Sequence, residues 1–390
     1  MFGLLIAVIY LSFISLGLPD ALLGAAWPSI YPNFDVPVSY SGIIACTISL
    51  GTVVSSLQSS RVIRKLGTCW VTAISVGMTA ISLLGFSLSS SFWMLLLWAI
   101  PYGLGAGSVD AALNNYAAVH FESRHMSWLH CMWGLGASIG PYIMGFVLTK
   151  DLGWDMGYRI IGIMQVFLTL VIIFSRPLWK SAKGDAKEEK RVEALTLKKV
   201  FSIPGVKALL LSFFCYCSLE GTAGLWASSY LVLYKGITAE RAAFFASLFY
   251  MGITVGRGIS GFITYKLNDR QMIIMGLSII AVGIIALLLP LGDIVSLLGL
   301  VIIGLGCAPI YPCIIHSTPL YFGEERSQSI IGVQMACAYI GSCTMPPLFG
   351  LLGRHITFAL YPFYLLVFLV VMSYMQVVLK KKTQVIACHV

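Results

Sequence analysis

The chain has 390 residues, of which 58% are hydrophobic and only 11% carry a charge, and its mean hydropathy is +0.89. A soluble domain usually has about 25% charged residues, so this composition excludes a water-soluble globular protein. The net charge of +9 does not indicate a nucleic-acid partner, because nine Lys and Arg lie between Arg176 and Lys207 and three more at 380–382. Basic residues between apolar spans are a signal of membrane topology.

Apolar runs long enough to cross a bilayer follow one another along the chain. Helices are expected for these runs, because open sheets cannot cross lipid and the runs do not alternate like barrel strands. The sequence therefore predicts an all-α membrane protein with twelve transmembrane helices. The predicted spans are 3–31, 38–60, 68–88, 92–119, 126–149, 157–177, 205–234, 238–265, 270–290, 294–321, 328–352 and 356–379.

Basic residues also predict the orientation of the spans. Loops assigned alternately to the two sides place 19 Lys and Arg on one side and five on the other, with Arg257 inside a span. Because basic loops stay in the cytoplasm, both termini are expected there, in a multi-pass protein of the inner membrane. The first span is long and has no cleavage site, which argues against a removable signal peptide. The five outer residues are Lys150, Arg159, Lys235, Arg241 and Arg354.

One long hydrophilic segment, residues 178–204, separates the two sets of six spans. It predicts an N-terminal six-helix bundle over 1–177, a cytoplasmic linker over 178–204, and a C-terminal bundle with a short tail over 205–390. We interpret the linker as a solvated tether, with contact to anionic lipid as the alternative.

The two halves are related in sequence. A shift of 200 residues aligns span one with span seven, a shift of 201 aligns span four with span ten, and a shift of 205 aligns span five with span eleven. Nearly constant shifts across three pairs of spans indicate two bundles related by a parallel repeat, an arrangement found in secondary transporters. The matching pairs are Asp20/Glu220, Gly24/Gly224, Gly103/Gly304, Gly136/Gly341, Pro141/Pro346 and Gly145/Gly350.

Three acids are predicted inside spans: Asp20, Asp110 and Glu220. A carboxylate in the hydrocarbon region is costly unless it lines a cavity or has a partner, so each is a functional candidate. Burial disfavours the charged form of a carboxyl group, which allows proton exchange near neutral pH. On a continuous helix Asp20 shares a face with Gly24. The alternative is a permanent ion pair with a neighbour such as Arg257.

Neutral polar and aromatic side chains complete the candidate site. Amides bond to the polar groups of a solute, and aromatic rings pack against its apolar faces. Packing or interhelical hydrogen bonding is the alternative for each of these residues. Arg257 is interpreted as a structural ion pair that locks a gate near the cytoplasmic end of span eight, and His316 shares the face of Tyr311 only loosely. The candidates for solute binding are Asn114, Asn115, His130, Gln334, Trp133, Trp226 and Tyr311.

Span four has a Gly-rich run followed by an acid, small residues and Asn (GLGAGSVDAALNN, 103–115), and span eight has the pattern GR-x-x-x-G (GRGISGF, 256–262). These segments resemble the major facilitator superfamily, and within it the fucose-permease-like branch of sugar:cation symporters. Two departures are the loop SSRVIRKLG (59–67), which lacks the Asp of the family signature, and the use of Asp110 where the family has Glu. The resembling segments are 17–34, 103–115, 127–141, 256–262 and 310–312.

The resemblance implies a monomeric symporter that takes up a small polar solute, most closely a sugar, with H+, and in which Asp20 and Asp110 form the acid pair. Sodium coupling, efflux of amphipathic compounds, and a non-transporting sensor remain alternatives. The ten Cys show no metal-ligand spacing and there is no Walker loop, so we predict no cofactor, no metal and no enzyme activity.

Overall fold

The computed structural model describes residues 2–20, 22–37, 40–181, 195–237 and 239–387, and helices lie at each of the predicted spans. In the first part of the chain the helices are α1 (Phe2–Gly17), α2 (Leu22–Asn33), α3 (Ser41–Leu66), α4 (Thr68–Ser87), α5 (Phe92–His120), α6 (Ser123–Thr149), α7 (Trp154–Phe174) and α8 (Arg176–Ser181). In the second part they are α9 (Leu197–Ser202), α10 (Val206–Leu233), α11 (Ala239–Ile263), α12 (Asp269–Leu288), α13 (Asp293–Cys307), α14 (Ile310–Phe322), α15 (Glu324–His355) and α16 (Tyr361–Ala387), with a short 3-10 helix at Phe358–Leu360 before α16.

The described residues contain eleven helical stretches that are long and apolar enough to cross a membrane, and α11 adds a shorter apolar stretch at Leu248–Ile263. Large apolar side chains such as Trp93 and Phe174 are exposed on these helices. Lipid solvates such side chains, whereas helices satisfy their own backbone groups away from water. The predicted all-α membrane fold is confirmed.

The chain divides into two compact units. One contains Met1–Tyr116 and Leu129–Ala194, and the other contains Ala117–Trp128 and Leu195–Val390. Residues 182–194 of the predicted linker lie outside the described residues, and the domain limits at 177 and 205 stay a prediction. In the first unit α4 packs along α7, and in the second α10 packs between α15 and α16.

Two of the predicted spans are interrupted helices. Residues 18–20 form a turn between α1 and α2, and Ala308 and Pro309 separate α13 from α14. The expectation that Asp20 and Gly24 share one continuous helix is therefore wrong. The physical reason is Pro19, which has no N–H to donate within a helix and clashes with the preceding turn.

Matching glycines hold matching helices together in the two units. A Cβ on Gly103 of α5 would lie 2.2 Å from the carbonyl oxygen of Ile48, and one on Gly304 of α13 would lie 2.3 Å from that of Phe249. Both pairs are related by the shift of 201 residues found in the sequence. The absence of a side chain at these glycines lets two helix backbones come into contact, as is common in membranes.

The same correspondence holds for the next pair of helices. A Cβ on Gly136 would lie 2.2 Å from the Ile14 carbonyl oxygen, and one on Gly341 would lie 2.8 Å from that of Phe214. Ile14 and Phe214 differ by 200 positions and the glycines by 205, which are the shifts of spans one and five. The internal repeat thus appears as repeated backbone contacts.

We expect Gly103→Ala to lower the free energy of unfolding by about 1–3 kcal/mol, because the added methyl group forces α5 away from α3. Gly145→Ala is the matched control, since a Cβ there meets nothing within 4 Å and alanine is the better helix former. Thermal unfolding in detergent measures both. Equal melting temperatures for the two variants would contradict the close approach.

Candidate functional site

A side chain from α7 replaces the backbone hydrogen bond that is lost where the first span is interrupted. In a continuous helix the amide of residue 19 would donate to the carbonyl of Ser15, but Pro19 has no amide hydrogen. The side-chain amide of Gln165 donates to this carbonyl at 2.5 Å and accepts a hydrogen bond from the Ser15 hydroxyl. Gln165 is fully buried. It therefore satisfies a backbone group that neither the helix nor lipid can satisfy.

Asp20 lies in this interruption and is held by Trp133 of α6. The indole N–H of Trp133 donates to one carboxylate oxygen of Asp20 at 2.8 Å. Gly17 lets α1 and α6 come close enough for this hydrogen bond, since a Cβ at Gly17 would lie 2.1 Å from the Trp133 carbonyl oxygen. The Asp20 side chain is exposed and lines a pocket within the first unit. The structure thus brings two predicted site residues together and leaves the carboxylate accessible.

Asp110, Asn114 and His130 form a chain of hydrogen bonds in the same unit. The Asn114 amide donates to the Asp110 carboxylate at 2.7 Å and to its carbonyl at 3.0 Å. The amide oxygen of Asn114 lies 3.1 Å from Nε2 of His130, so this nitrogen carries a hydrogen in the bond. Asn114 and His130 are buried, whereas Asp110 is half-buried. Asn114 therefore positions Asp110 and links it to the imidazole.

In the second unit Glu220 forms an ion pair with Arg257. The closest nitrogen and oxygen are 3.6 Å apart, and the Arg257 and Glu220 side chains are 4% and 21% exposed. The guanidinium also lies 6.0 Å from the centre of the Tyr311 ring, and that ring contacts Phe213. The alternative of a paired acid is therefore realised by Glu220. A gating role for Arg257 stays a prediction.

The other predicted residues have neighbours of different kinds. The Trp226 indole donates to the Pro346 carbonyl at 2.8 Å, which is a packing contact between α10 and α15. Gln334 is fully buried and accepts a hydrogen bond from Thr318. Asn115 is half-buried on α5. Solute binding by these three residues stays a prediction.

Sequence reasoning missed a polar cluster around Asp269, at the start of α12. This carboxylate is 8% exposed, lies 2.5 Å from Nδ1 of His316 and accepts a hydrogen bond from Ser123. The other ring nitrogen of His316 lies 3.0 Å from the carbonyl oxygen of Phe121. Because that carbonyl only accepts, this nitrogen carries a hydrogen, and Nδ1 makes the bond to Asp269. No local pattern reveals this contact, since the partners are 47 and 146 residues apart.

Apolar helices in two repeated units, with carboxylates held on interrupted or polar helices, define a multi-pass membrane transporter. The model of the Major Facilitator Superfamily matches residues 9–346. The chain belongs to this superfamily, and it is a transporter and not an enzyme.

Known proteins with similar sequences and structures agree with this family. "Bypass of stop codon protein 6" of Saccharomyces cerevisiae is 23% identical over 285 residues, which cover 66% of this chain and 56% of the relative. The Bacillus subtilis "Glucose/mannose transporter GlcP" is 21% identical over 364 residues, or 87% of this chain and 86% of the relative. A crystal structure of the E. coli fucose:proton symporter FucP superposes with a TM-score of 0.75 at 15% identity, covering 98% of each chain. The fold is that of a fucose-permease-like major facilitator.

We expect Gln165→Leu to lower the free energy of unfolding by about 1–3 kcal/mol, because the Ser15 carbonyl then has no donor. Thr169→Val is the control, since its hydroxyl donates to the Gln165 carbonyl one turn away in the same helix. Melting temperatures of the purified variants give the comparison. A Gln165→Leu protein as stable as the control would show that the interruption does not depend on this amide.

We expect Arg257→Met to destabilise the second unit by about 2 kcal/mol or more, because Glu220 is left as an unpaired charge. Adding Glu220→Gln removes that charge, so the double variant should recover part of the loss. A double-mutant cycle of melting temperatures measures the coupling. Strictly additive effects would exclude a significant ion pair.

Proposed function

We propose that this chain is a proton-coupled symporter that takes up a small polar solute, in particular a sugar, by alternating access. The proposal places it in the inner membrane with both termini in the cytoplasm, as the distribution of basic residues predicts. The observation that carries the proposal is Asp20, a carboxylate at a helix interruption that is anchored by one indole and lines a pocket.

The placement of Asp20 suits proton exchange. One of its oxygens is fixed by Trp133, whereas the side chain remains exposed. Asp110 lies in the same unit as Asp20. Two carboxyl groups that interact release their protons as a pair, in two steps. We assign proton coupling to this pair.

The hydrogen-bonded chain from His130 through Asn114 to Asp110 supports a polar solute. A cavity for amphipathic drugs needs apolar walls, whereas buried amide and imidazole groups must remain hydrogen-bonded. These hydrogen bonds hold the Asp110 carboxylate in a fixed orientation. Efflux of amphipathic compounds is therefore the weaker candidate. The names of GlcP and FucP, which refer to glucose, mannose and fucose, point in the same direction.

The ion pair with Arg257 gives Glu220 a different role from that of Asp20 and Asp110. The Glu220 carboxylate lies 3.6 Å from the guanidinium of Arg257, whereas the Asp20 carboxylate is bonded to an indole and lines a pocket. We propose that Glu220 and Arg257 stabilise the second unit, with Tyr311 packed against the cation. A sodium-coupled symporter is the second candidate, because oxygen atoms of Asp20 and Asp110 are also ligands that a hard cation accepts.

Sugar-induced alkalinisation of a weakly buffered cell suspension tests the proposal, using hexoses, deoxyhexoses and N-acetyl sugars. We expect one class of sugar to raise the external pH. Asp20→Asn and Asp110→Asn should reduce the signal at least tenfold, because an amide has no proton to exchange. Asp155→Asn is the control, since Asp155 is a surface acid paired with Arg159.

Two other outcomes discriminate between the candidates. Sugar uptake that requires sodium and leaves the pH unchanged would replace proton coupling by sodium coupling. No uptake of any sugar by well-expressed protein, with or without sodium, would contradict the proposed solute class and favour export of an apolar compound.

A further inference from the structure

His130 is a buried titratable residue of α6 whose hydrogen bonds show what it does beside the acids. It is 5% exposed, and its ring packs edge-on against the Phe13 ring of α1, with centroids 5.3 Å apart. Its Nε2 lies 3.1 Å from the amide oxygen of Asn114 on α5. Because a buried polar group is costly unless it is hydrogen-bonded, the direction of this bond decides the role of the imidazole.

The orientation of the Asn114 amide is fixed by its contacts with Asp110. The amide nitrogen lies 3.0 Å from the backbone carbonyl oxygen of Asp110 and 2.7 Å from one of its carboxyl oxygens. The carbonyl only accepts, whatever the protonation state of the carboxyl group, so the amide nitrogen must face it. The amide oxygen therefore faces His130. Since this oxygen also only accepts, Nε2 of His130 is the donor.

A hydrogen donated by Nε2 argues against proton transfer along this chain. An amide oxygen accepts a hydrogen bond but is not basic enough to take a proton near neutral pH. His130 therefore cannot pass a proton to Asp110 through Asn114. What the imidazole can do is hold the amide oxygen, so that the Asn114 side chain does not rotate away from the carboxylate.

Both residues are poorly placed to bind a solute. Asn114 is fully buried and His130 nearly so, whereas Asp110 is half-buried. The amide of Asn114 already makes three hydrogen bonds to protein groups, two as a donor and one as an acceptor. On sequence grounds both are candidates for solute binding. Their hydrogen bonds favour support of the Asp110 carboxylate instead.

The same face of α6 also holds the other acid of the first unit. Trp133 follows His130 by three residues, which places the two side chains on one helix face, and its indole donates to Asp20 at 2.8 Å. Backbone contact fixes α6 against α1, since a Cβ on Gly136 would lie 2.2 Å from the Ile14 carbonyl oxygen. One helix thus carries a donor for each carboxylate, one acting directly and one through an amide.

We infer that His130 is a positioning residue for Asp110: its Nε2 hydrogen fixes the Asn114 amide, and this amide fixes the carboxylate. The inference rests on the proposed function and adds that α6 sets the positions of both coupling acids, through His130 and Trp133. For this role His130 needs only an N–H at the position of Nε2. It neither carries the transported proton nor contacts the solute, so another neutral donor can replace it and an apolar side chain cannot.

His130→Leu and His130→Gln test the inference by proton-driven uptake of radiolabelled D-glucose, D-mannose and L-fucose. Leucine removes the donor, whereas glutamine places an amide N–H near the position of Nε2. We expect His130→Leu to lower the maximal rate for the transported sugar at least tenfold with KM within twofold, because the contacts with the solute are intact. His130→Gln should keep at least half of the rate.

Ser138→Ala is the matched control on the same helix, since the Ser138 hydroxyl donates to the Gly134 carbonyl of α6 itself. Its rate and KM should both stay within twofold of the parent. A tenfold higher KM in either His130 variant would show contact with the solute and overturn the inference. A glutamine variant as slow as the leucine variant would also overturn it, because the imidazole itself would then be required.

Asn114→Leu shows whether His130 acts through the amide. If it does, the double variant His130→Leu/Asn114→Leu should be no more than twofold slower than Asn114→Leu alone, because residues that act as one unit are not additive. Rate losses that multiply in the double variant would overturn the inference.

The hydrogen bond is measured without any solute in purified full-length protein that contains 15N-labelled histidine. We expect NMR spectra at neutral pH to show a hydrogen on Nε2 of His130, in a signal that His130→Gln removes and Asn114→Leu shifts. An Nε2 without hydrogen would overturn the inference even if sugar is transported. If no sugar is transported and the expected signal is present, the proposed function fails and the positioning of Asp110 by His130 stands.

Discussion

The missing amide of Pro19 is the constraint on which the site in the first unit depends. Inside a membrane no water replaces a lost backbone hydrogen bond, so the Ser15 carbonyl needs another donor. Gln165 supplies it from α7. With that bond made, the chain can leave the helix for a turn at residues 18–20 and resume it at Leu22. Asp20 is thereby placed in a turn beside a pocket and is not held on the side of a regular helix.

The two repeated units share one scheme of helix packing but place their acids in different surroundings. The close approaches at Gly103 and Gly304 fall at equivalent positions, so both units share one packing scheme. In the second unit, however, Leu219 stands where the first has Pro19, and α10 continues without interruption. Its acid, Glu220, meets the guanidinium of Arg257 instead of an open pocket. At this position of the repeat, proline precedes an accessible acid in the first unit and leucine precedes a paired acid in the second.

Much of the fold could be predicted because few backbone structures can cross a membrane. The length of apolar runs, the glycines at constant shifts and the distribution of basic residues each depend on local sequence. The helix interruption also had a local signal in Pro19, although the apolar run continues through this residue. The cluster of Asp269 and His316 had none, because a carboxylate at the start of a helix resembles a solvated cap until its distant partners are known.

The sequence by itself determined the class of protein, the all-α membrane fold, the repeat and the acids Asp20, Asp110 and Glu220, because composition and periodicity along one chain fix these properties. Only the tertiary structure decided which partner each acid has: Trp133 for Asp20, Asn114 for Asp110 and Arg257 for Glu220. The pocket beside Asp20 belongs to the same group of findings. Hydrogen bonds and cavities depend on how separate helices pack, and side chains from distant positions meet only when that packing is complete.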